Sequence, residues 1–473
     1  MRKWQDLAPP DDPGSWYDID GMCPTPRGSY QSFPIVSSGT SYTATSVGTV
    51  TYAFYGQVPN PNTVNAEYVI DGSKIWRYDV SSTGTEMSDK TGGVTVGVRQ
   101  KMAQYGTVTV CVMGSPRGAL SGNATVYAVL GNNFAALTNA PMGDCVCVES
   151  NAVIIANTDT ANDAWEASDV GDYTNWTSGE WASGRVYQPP GPIKAAVPLN
   201  GAVYLFKSNS IHRMRYVGGS VKWSVEKVFE GIGCGLTNAA CAGLGGILFL
   251  GESGISATGT PANNFYWFDG VSAPVLVNPY TSVGTTSFAN ASGVKIQFNR
   301  YRNLFTICEA GNKIYTYLPE ANAWGKSTVS YASGVILLDG DSRSQSMLVP
   351  GWIKSAANTL VFYNPSVTIG AGARYIQTSL MGAVDSKTQF SRLIPLLRRR
   401  VDLGTDSASL TADFYRERHD TTAASSLTVA EASSRKRFDF NQSDNFARFK
   451  VTYTDLDIEI DDVLVKTRPA GTD

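Results

Sequence analysis

Short apolar runs of strand length, separated by turn residues, recur along most of the chain, and residues 189–270 show the pattern most clearly. That stretch holds two such runs, residues 202–206 and 247–250. A glycine-containing turn precedes each, and a polar turn follows each, residues 207–210 in one case and 251–254 in the other. One supersecondary unit is therefore written twice, and a unit repeated at roughly 40 to 50 residues is the signature of a propeller or solenoid. Similar runs fall at 49–55, at 67–70 with 74–78, at 107–112 with 125–130, and at 145–148 with 152–156. They resume at 304–308 with 313–317 and at 345–349 with 359–363. Turn residues such as Asp71-Gly72, Gly131-Asn132, Asn209 and Gly311-Asn312 separate their members. The best-defined strands, near Val69, Val110, Ile154, Tyr204, Leu248, Phe305 and Leu348, recur at intervals of roughly 40 to 57 residues. The fold expected is all-β, a β-propeller of about seven blades over residues 41–370, with six or eight also compatible. A linear solenoid would have shorter and more regular rungs.

Both ends of the chain have a different texture. Residues 1–40 contain Pro9, Pro10, Pro13, Pro24, Pro26 and Pro34 with little periodicity, which predicts an extended arm lying across another surface. From residue 371 a basic segment, 387–401, precedes the alternating Leu410, Ala412 and Phe414. Further strands are expected at 438–440, 446–453 and 456–466, with a polar stretch at 421–434 between them. Residues 371–473 thus read as a smaller β-rich module, a sandwich or a layer packed on the arm.

Composition supports β structure. The 473 residues include 46 Gly, 23 Tyr, 18 Phe and 10 Trp, which favour strands and tight turns. Only 17% of residues are charged and the formal net charge is -3, which argues against a protein built to grip nucleic-acid phosphates. The seven cysteines lack the paired spacing of a zinc site and have only His212 and His419 to help them, so they read as reduced, mostly buried thiols. Cys145 and Cys147 alternate along a strand and should face one way. The N-terminus lacks the apolar core of a signal peptide, and no apolar run reaches membrane-spanning length; synthesis in the cytoplasm as a soluble protein is expected.

Candidate chemistry is sparse. Ser168, Asp169, Gly171 and Trp176 approach the Asp-box turn of sialidase-type propellers, with a longer spacing to the tryptophan, and such turns are structural even in those enzymes. Asp163, Glu166, Asp169 and Asp172 read as a solvated acidic loop, since glycoside chemistry needs two carboxylates held across a cleft. His212, beside Arg213 and Arg215, has no identifiable nucleophile or orienting partner and reads as structural. Asp339-Gly340-Asp341 lacks the further acidic positions of a calcium loop and reads as a turn. No catalytic, metal or cofactor-binding residue is expected, and no cofactor. Arg392, Arg398, Arg399 and Arg400, with Arg435, Lys436 and Arg437, form the one basic concentration. They are either solvated charge paired in part with the acidic region 455–462, or an interface for an acidic protein partner, with direct DNA contact a third reading.

Several stretches together carry a family resemblance: DIDGMCPTPRGSY, IANTDTANDAWEASDVGDYTNWTSG, GPIKAAVPLNGAVYLFKSNSIHRMRYVGG, GIGCGLTNAACAGLGGILFLGESGI and the strand-rich C-terminal module. In these the chain resembles the tail nozzle proteins of short-tailed double-stranded DNA bacteriophages, also called tail tubular protein B, tail hub or DNA stabilisation proteins. The resemblance implies a structural virion protein with no catalytic residues. Its subunits would form a homohexameric ring at the distal end of the tail, below the adaptor ring that hangs from the portal and in contact with tail fibres, spikes or a needle. Platforms would surround a channel that retains the viral DNA and conducts it at ejection, without sequence-specific binding. Carried onto this chain, the platform is residues 1–40 with 371–473, and the propeller is 41–370. The alternative is a propeller that binds or cleaves glycan, sialidase-like, also on a tail.

Overall fold

A computed structural model of the chain describes residues 3–4, 15–32, 41–43, 52–58, 64–70, 74–79, 88–89, 99–114, 126–130, 133–255, 261–277, 294–299, 303–308, 313–328, 335–339, 351–354, 359–362, 373–378, 381–382, 388–399, 409–416, 422–430, 437–454 and 458–469. Among these the protein is all-β, with one 3-10 turn at Pro319–Ala321 and no α-helix.

Four-stranded antiparallel meanders account for the middle of the chain. The first begins with Tyr52–Val58 and Val64–Ile70, and the next four occupy 99–136, 143–185, 195–230 and 240–276. A sixth runs from Lys295–Asn299 to Ala323–Thr328. The seventh takes three strands, Val335–Asp339, Gly351–Lys354 and Thr359–Phe362, from one part of the chain and its fourth, Ser41–Thr43, from the N-terminal side, with Leu360 opposite Tyr42. The first strand of each meander lies against the first strand of the next, and Val335–Asp339 runs parallel to Tyr52–Val58, with Leu338 opposite Ala53.

The near-continuous apolar second strands follow from this stacking, because a sheet buried on both faces has no solvent side to mark with polar residues. Side chains alternate across a strand, so each second strand serves two interfaces. In Ala152–Thr158, Ile154 and Ala156 pack toward the fourth meander with Val203 and Leu205, whereas Val153 and Ile155 pack toward the second with Val110 and Val112. In Ala202–Phe206, Tyr204 and Phe206 turn the other way, to Phe249 and Phe268. Cys145 and Cys147 share one cluster while Val146 joins the other, as their spacing predicts. The two runs within 189–270 are the second strands of consecutive meanders. Their sheets are joined where Cys234 N–H donates to Lys207 C=O at 2.8 Å, an approach so close that a Cβ on Gly233 would stand 1.9 Å from that oxygen.

The N-terminal segment differs from the extended arm expected of it. Ser15–Asp20 pairs antiparallel with Ala373–Thr378, and Met22–Pro24 and Tyr30–Ser32 form a hairpin. That hairpin bridges the outer strand of the sixth meander, Lys326 opposite Met22, to the C-terminal strand Ile458–Pro469, Tyr30 opposite Ile460. Pro26 lies in the hairpin's turn, both hairpin strands are buried throughout, and Ile19, Met22 and Tyr30 join the core.

The C-terminal residues form two facing sheets. One contains Ala373–Thr378, Phe446–Thr454, Ser409–Tyr415 and Ser425–Ala430; the other contains Ile458–Pro469, Thr388–Arg399 and Phe438–Asp444. Phe390 and Phe440 from the second meet Phe414 and Phe449 from the first at ring separations of 5.5 to 6.0 Å. The stretch 421–434, expected to be a polar connection, contains the strand Ser425–Ala430.

Candidate functional site

The Asp-box-like segment connects the third and fourth strands of the third meander, Ala164–Ala167 and Ala182–Arg185. Ser168 hydroxyl accepts from Val153 N–H at 3.0 Å, and Trp176 is buried, its indole N–H donating to Tyr173 C=O at 2.9 Å. Asp169 accepts from Glu180 N–H at 2.7 Å and from Asn175 Nδ2 at 3.1 Å, and Asp172 accepts from Thr174 N–H at 2.9 Å. The Thr174 hydroxyl and amide hold the Asp172 carboxyl below its usual range.

The solvated acidic loop expected here is therefore corrected: of the four carboxylates only Asp172 is exposed. Asp163 is buried and pairs with Arg185 at 2.8 Å, while burial raises the Glu166 carboxyl above its usual range. Asp169 and Asp172 are engaged in fixing the turn and Asp163 pairs at the open end of the same hairpin, an arrangement unlike the free acid and base facing each other that glycoside cleavage requires. Arg185 also lies over the exposed Tyr187 ring at 4.8 Å.

Near the Asp163–Arg185 pair sits a buried cation, in a turn whose polar sequence predicts exposure. Lys207 is fully buried, and its ammonium donates to Val186 C=O at 2.6 Å and to Pro189 C=O. Burial lowers its pKa. Those two carbonyls belong to the link between the third and fourth meanders, so the ammonium staples the link to the turn between two strands of the fourth. Five residues on, His212 is buried, its Nε2 3.1 Å from the Ser210 hydroxyl. Both residues of this serine–histidine contact are buried, which closes the hydroxyl off from a substrate.

Burial, reinforced by Lys207 and Lys227, lowers the His212 pKa to about 4. The unfolded chain then binds a proton that the folded chain refuses between about pH 6.5 and 4, so stability falls as pH falls through that window. The shift corresponds to an effect on the order of 3 kcal/mol. His212→Gln is expected to flatten that part of the stability profile, read from urea midpoints at pH 7, 5.5 and 4. Parallel profiles for wild type and variant would contradict the assignment.

In the basic segment, Arg392 is paired within the chain: its Nε donates to Asp439 Oδ1 at 2.5 Å, and Arg437 Nε lies 3.2 Å from Asp439 Oδ2. The Arg392 hydrogen bond holds the Asp439 carboxyl below its usual range. Arg398 and Arg399 occupy positions opposite Glu459 and Ile458 in the strand register. Arg400, Arg435 and Lys436 lie outside the described residues, as do Gly340 and Asp341; Asp339 ends the strand Val335–Asp339. None of the seven cysteines is in a disulfide, six of them are buried, and burial pushes Cys147 up to about 12 and Cys234 up to about 11. No helix among the described residues is long and apolar enough to cross a membrane.

No family model and no curated protein matches the chain. Among solved structures, one similar chain is the computationally designed Ika8 protein, at 8% identity and a TM-score of 0.39, with 68% of this chain and 98% of that chain covered. A likeness of that degree carries no argument.

Proposed function

We propose that this chain is a structural virion protein, the subunit of a phage tail nozzle, in which a seven-bladed propeller is inserted into a platform made by both ends of the chain. The observation that carries the reading is the interleaving of the N-terminal strands with the C-terminal sheets, which is the platform the family resemblance calls for. The seven meanders, the last adjoining the first and completed by Ser41–Thr43, support the propeller. A near-neutral charge suits a channel that passes DNA without many phosphate contacts to slow it. Arg398 and Arg399 remain candidates for the interface with an acidic partner, whereas the Arg392 charge is met within the chain.

The alternative glycan enzyme is disfavoured by the carboxylates of residues 163–172, three of which are committed to turn hydrogen bonds or an ion pair. Electron microscopy of the purified chain, alone and mixed with its tail's adaptor protein, is expected to show six-fold rings with a central hole. Monomers in both samples, together with glycan binding or cleavage, would overturn the nozzle reading.

A further inference from the structure

The nine-stranded sheet is thin at one joint. Ala323–Thr328, the outer strand of the sixth meander, pairs along its length with Lys313–Leu318, whereas among the described residues its other side meets the N-terminal hairpin at a single register position, Lys326 opposite Met22. The hairpin is tied more firmly the other way. Met22, Cys23 and Pro24 pair with Ser32, Gln31 and Tyr30, and the last two continue onto Ile458–Pro469. The Tyr453 hydroxyl donates to Met22 Sδ, and Ser15–Asp20, just before the hairpin, is paired with Ala373–Thr378. By hydrogen bonding the hairpin belongs to the C-terminal sheets, and the joint lies on its meander side.

Two buried hydroxyls flank that joint without a partner. Thr316 and Ser327 are both buried, and neither hydroxyl has a hydrogen-bond partner among the described residues. Thr316 stands opposite Gly325, and Gly325 and Ser327 are the neighbours of Lys326. The fit is close: a Cβ on Gly325 would stand 2.4 Å from the Thr316 hydroxyl oxygen, 2.4 Å from Met22 C=O and 2.9 Å from Cys23 Cα.

A buried hydroxyl without a partner costs free energy that hydration returns, so each of the two favours a state in which the joint is open to water. Apolar burial opposes them. Ile19, Met22 and Tyr30 share a core with Tyr315, Tyr317 and Trp324, and Lys3–Trp4 and Ser15–Asp20 also lie against Ala323–Thr328. A closed seam with a built-in bias toward opening is the kind of low-stability element from which moving parts are drawn.

We infer that the chain parts between Ala323–Thr328 and Met22–Pro24, the hairpin staying with the C-terminal sheets and the meanders moving as the other body, and that Thr316 and Ser327 set how often the seam opens. Residues 33–40 and 363–372 keep the two bodies joined in sequence. The inference does not depend on the nozzle reading.

Cys23, buried on the hairpin strand at the seam, reports opening, and Cys147, buried in the third meander, is the reference. In the full chain iodoacetamide is expected to alkylate Cys23 at least tenfold faster than Cys147, read by mass spectrometry of the digested protein. Thr316→Val combined with Ser327→Ala, which removes both hydroxyls at nearly constant shape, is expected to slow Cys23 at least tenfold and leave Cys147 unchanged. Equal rates at the two thiols in the wild type would overturn the inference, because the seam would then open only with the whole fold. An unaltered Cys23 rate in the double variant, or equal slowing of both thiols, would overturn it by removing the hydroxyls from control of the seam. Should the double variant fail to fold, Gly325→Ala, which crowds Met22 C=O, is expected to speed Cys23 at least tenfold relative to Cys147, and no change there would overturn the inference. Ring formation tests the nozzle reading separately from all of these outcomes.

Discussion

A chain lacking residues 1–35 is expected to lose the C-terminal sheets. Ser15–Asp20 is hydrogen-bonded into one of them, and the hairpin Met22–Pro24 with Tyr30–Ser32 lies inside the other, between Ala323–Thr328 and Ile458–Pro469. Deletion therefore cuts the nine-stranded sheet in two and strips Ile19, Met22 and Tyr30 from the core. Full burial of one such side chain stabilises by about 1.5–3 kcal/mol, so three contribute roughly 5–9 kcal/mol. That is comparable with the whole stability of a typical domain, about 5–15 kcal/mol. Limited proteolysis should then digest the truncated chain from residue 373 onward while residues 133–277 stay protected, because Ser41–Thr43 and the middle meanders are retained. Protection of 373–469 equal to that of the full chain would show that the N-terminal strands are dispensable.

What made the middle of the chain legible is double-sided burial. Ala152–Thr158, Ala202–Phe206, Gly246–Ile255 and Leu304–Cys308 each face two neighbouring sheets, and their unbroken apolar character locates them without any partner being known. First strands such as Arg99–Tyr105, reading RQKMAQY, lack that character, and only pairing with Val108–Gly114 identifies them. Proline hid the N-terminal strands in the same way, since a proline-rich segment reads as a bare arm until its partner strands, more than 300 residues away, are in place. Ser425–Ala430 was hidden by its small polar residues, whose alternation of half-buried Leu427 and Val429 with exposed neighbours is too short to stand out.

The charged residues were misjudged for a related reason. Asp163 meets Arg185, and Arg392 meets Asp439, across sheet register, which local spacing does not encode. Lys207 looked like a turn residue because lysine is rarely buried; its two carbonyl partners come from the preceding link. The chemistry-bearing side chains named above are thus largely absorbed by architecture.

Phe414→Ala is expected to destabilise the C-terminal sheets by about 3–5 kcal/mol, the usual cost of emptying a well-packed aromatic site. Phe414 is fully buried, with ring separations of 5.9 Å to Phe390, 6.0 Å to Phe440 and 5.3 Å to Phe449, so it joins the two facing sheets. Collapse around the vacancy is limited because those three neighbours are themselves fixed by paired strands. The adjoining strand Ser425–Ala430 pairs with it, Phe414 standing opposite Ser425, so loosening one should loosen the other. Hydrogen exchange of Ser409–Tyr415, Ser425–Ala430 and Phe446–Thr454 reads the effect. Val271→Ala, at a position 84% exposed, serves as the comparison and should change stability by no more than about 0.5 kcal/mol. If Phe414→Ala cost less than about 1 kcal/mol, the two sheets would not share a core at that point.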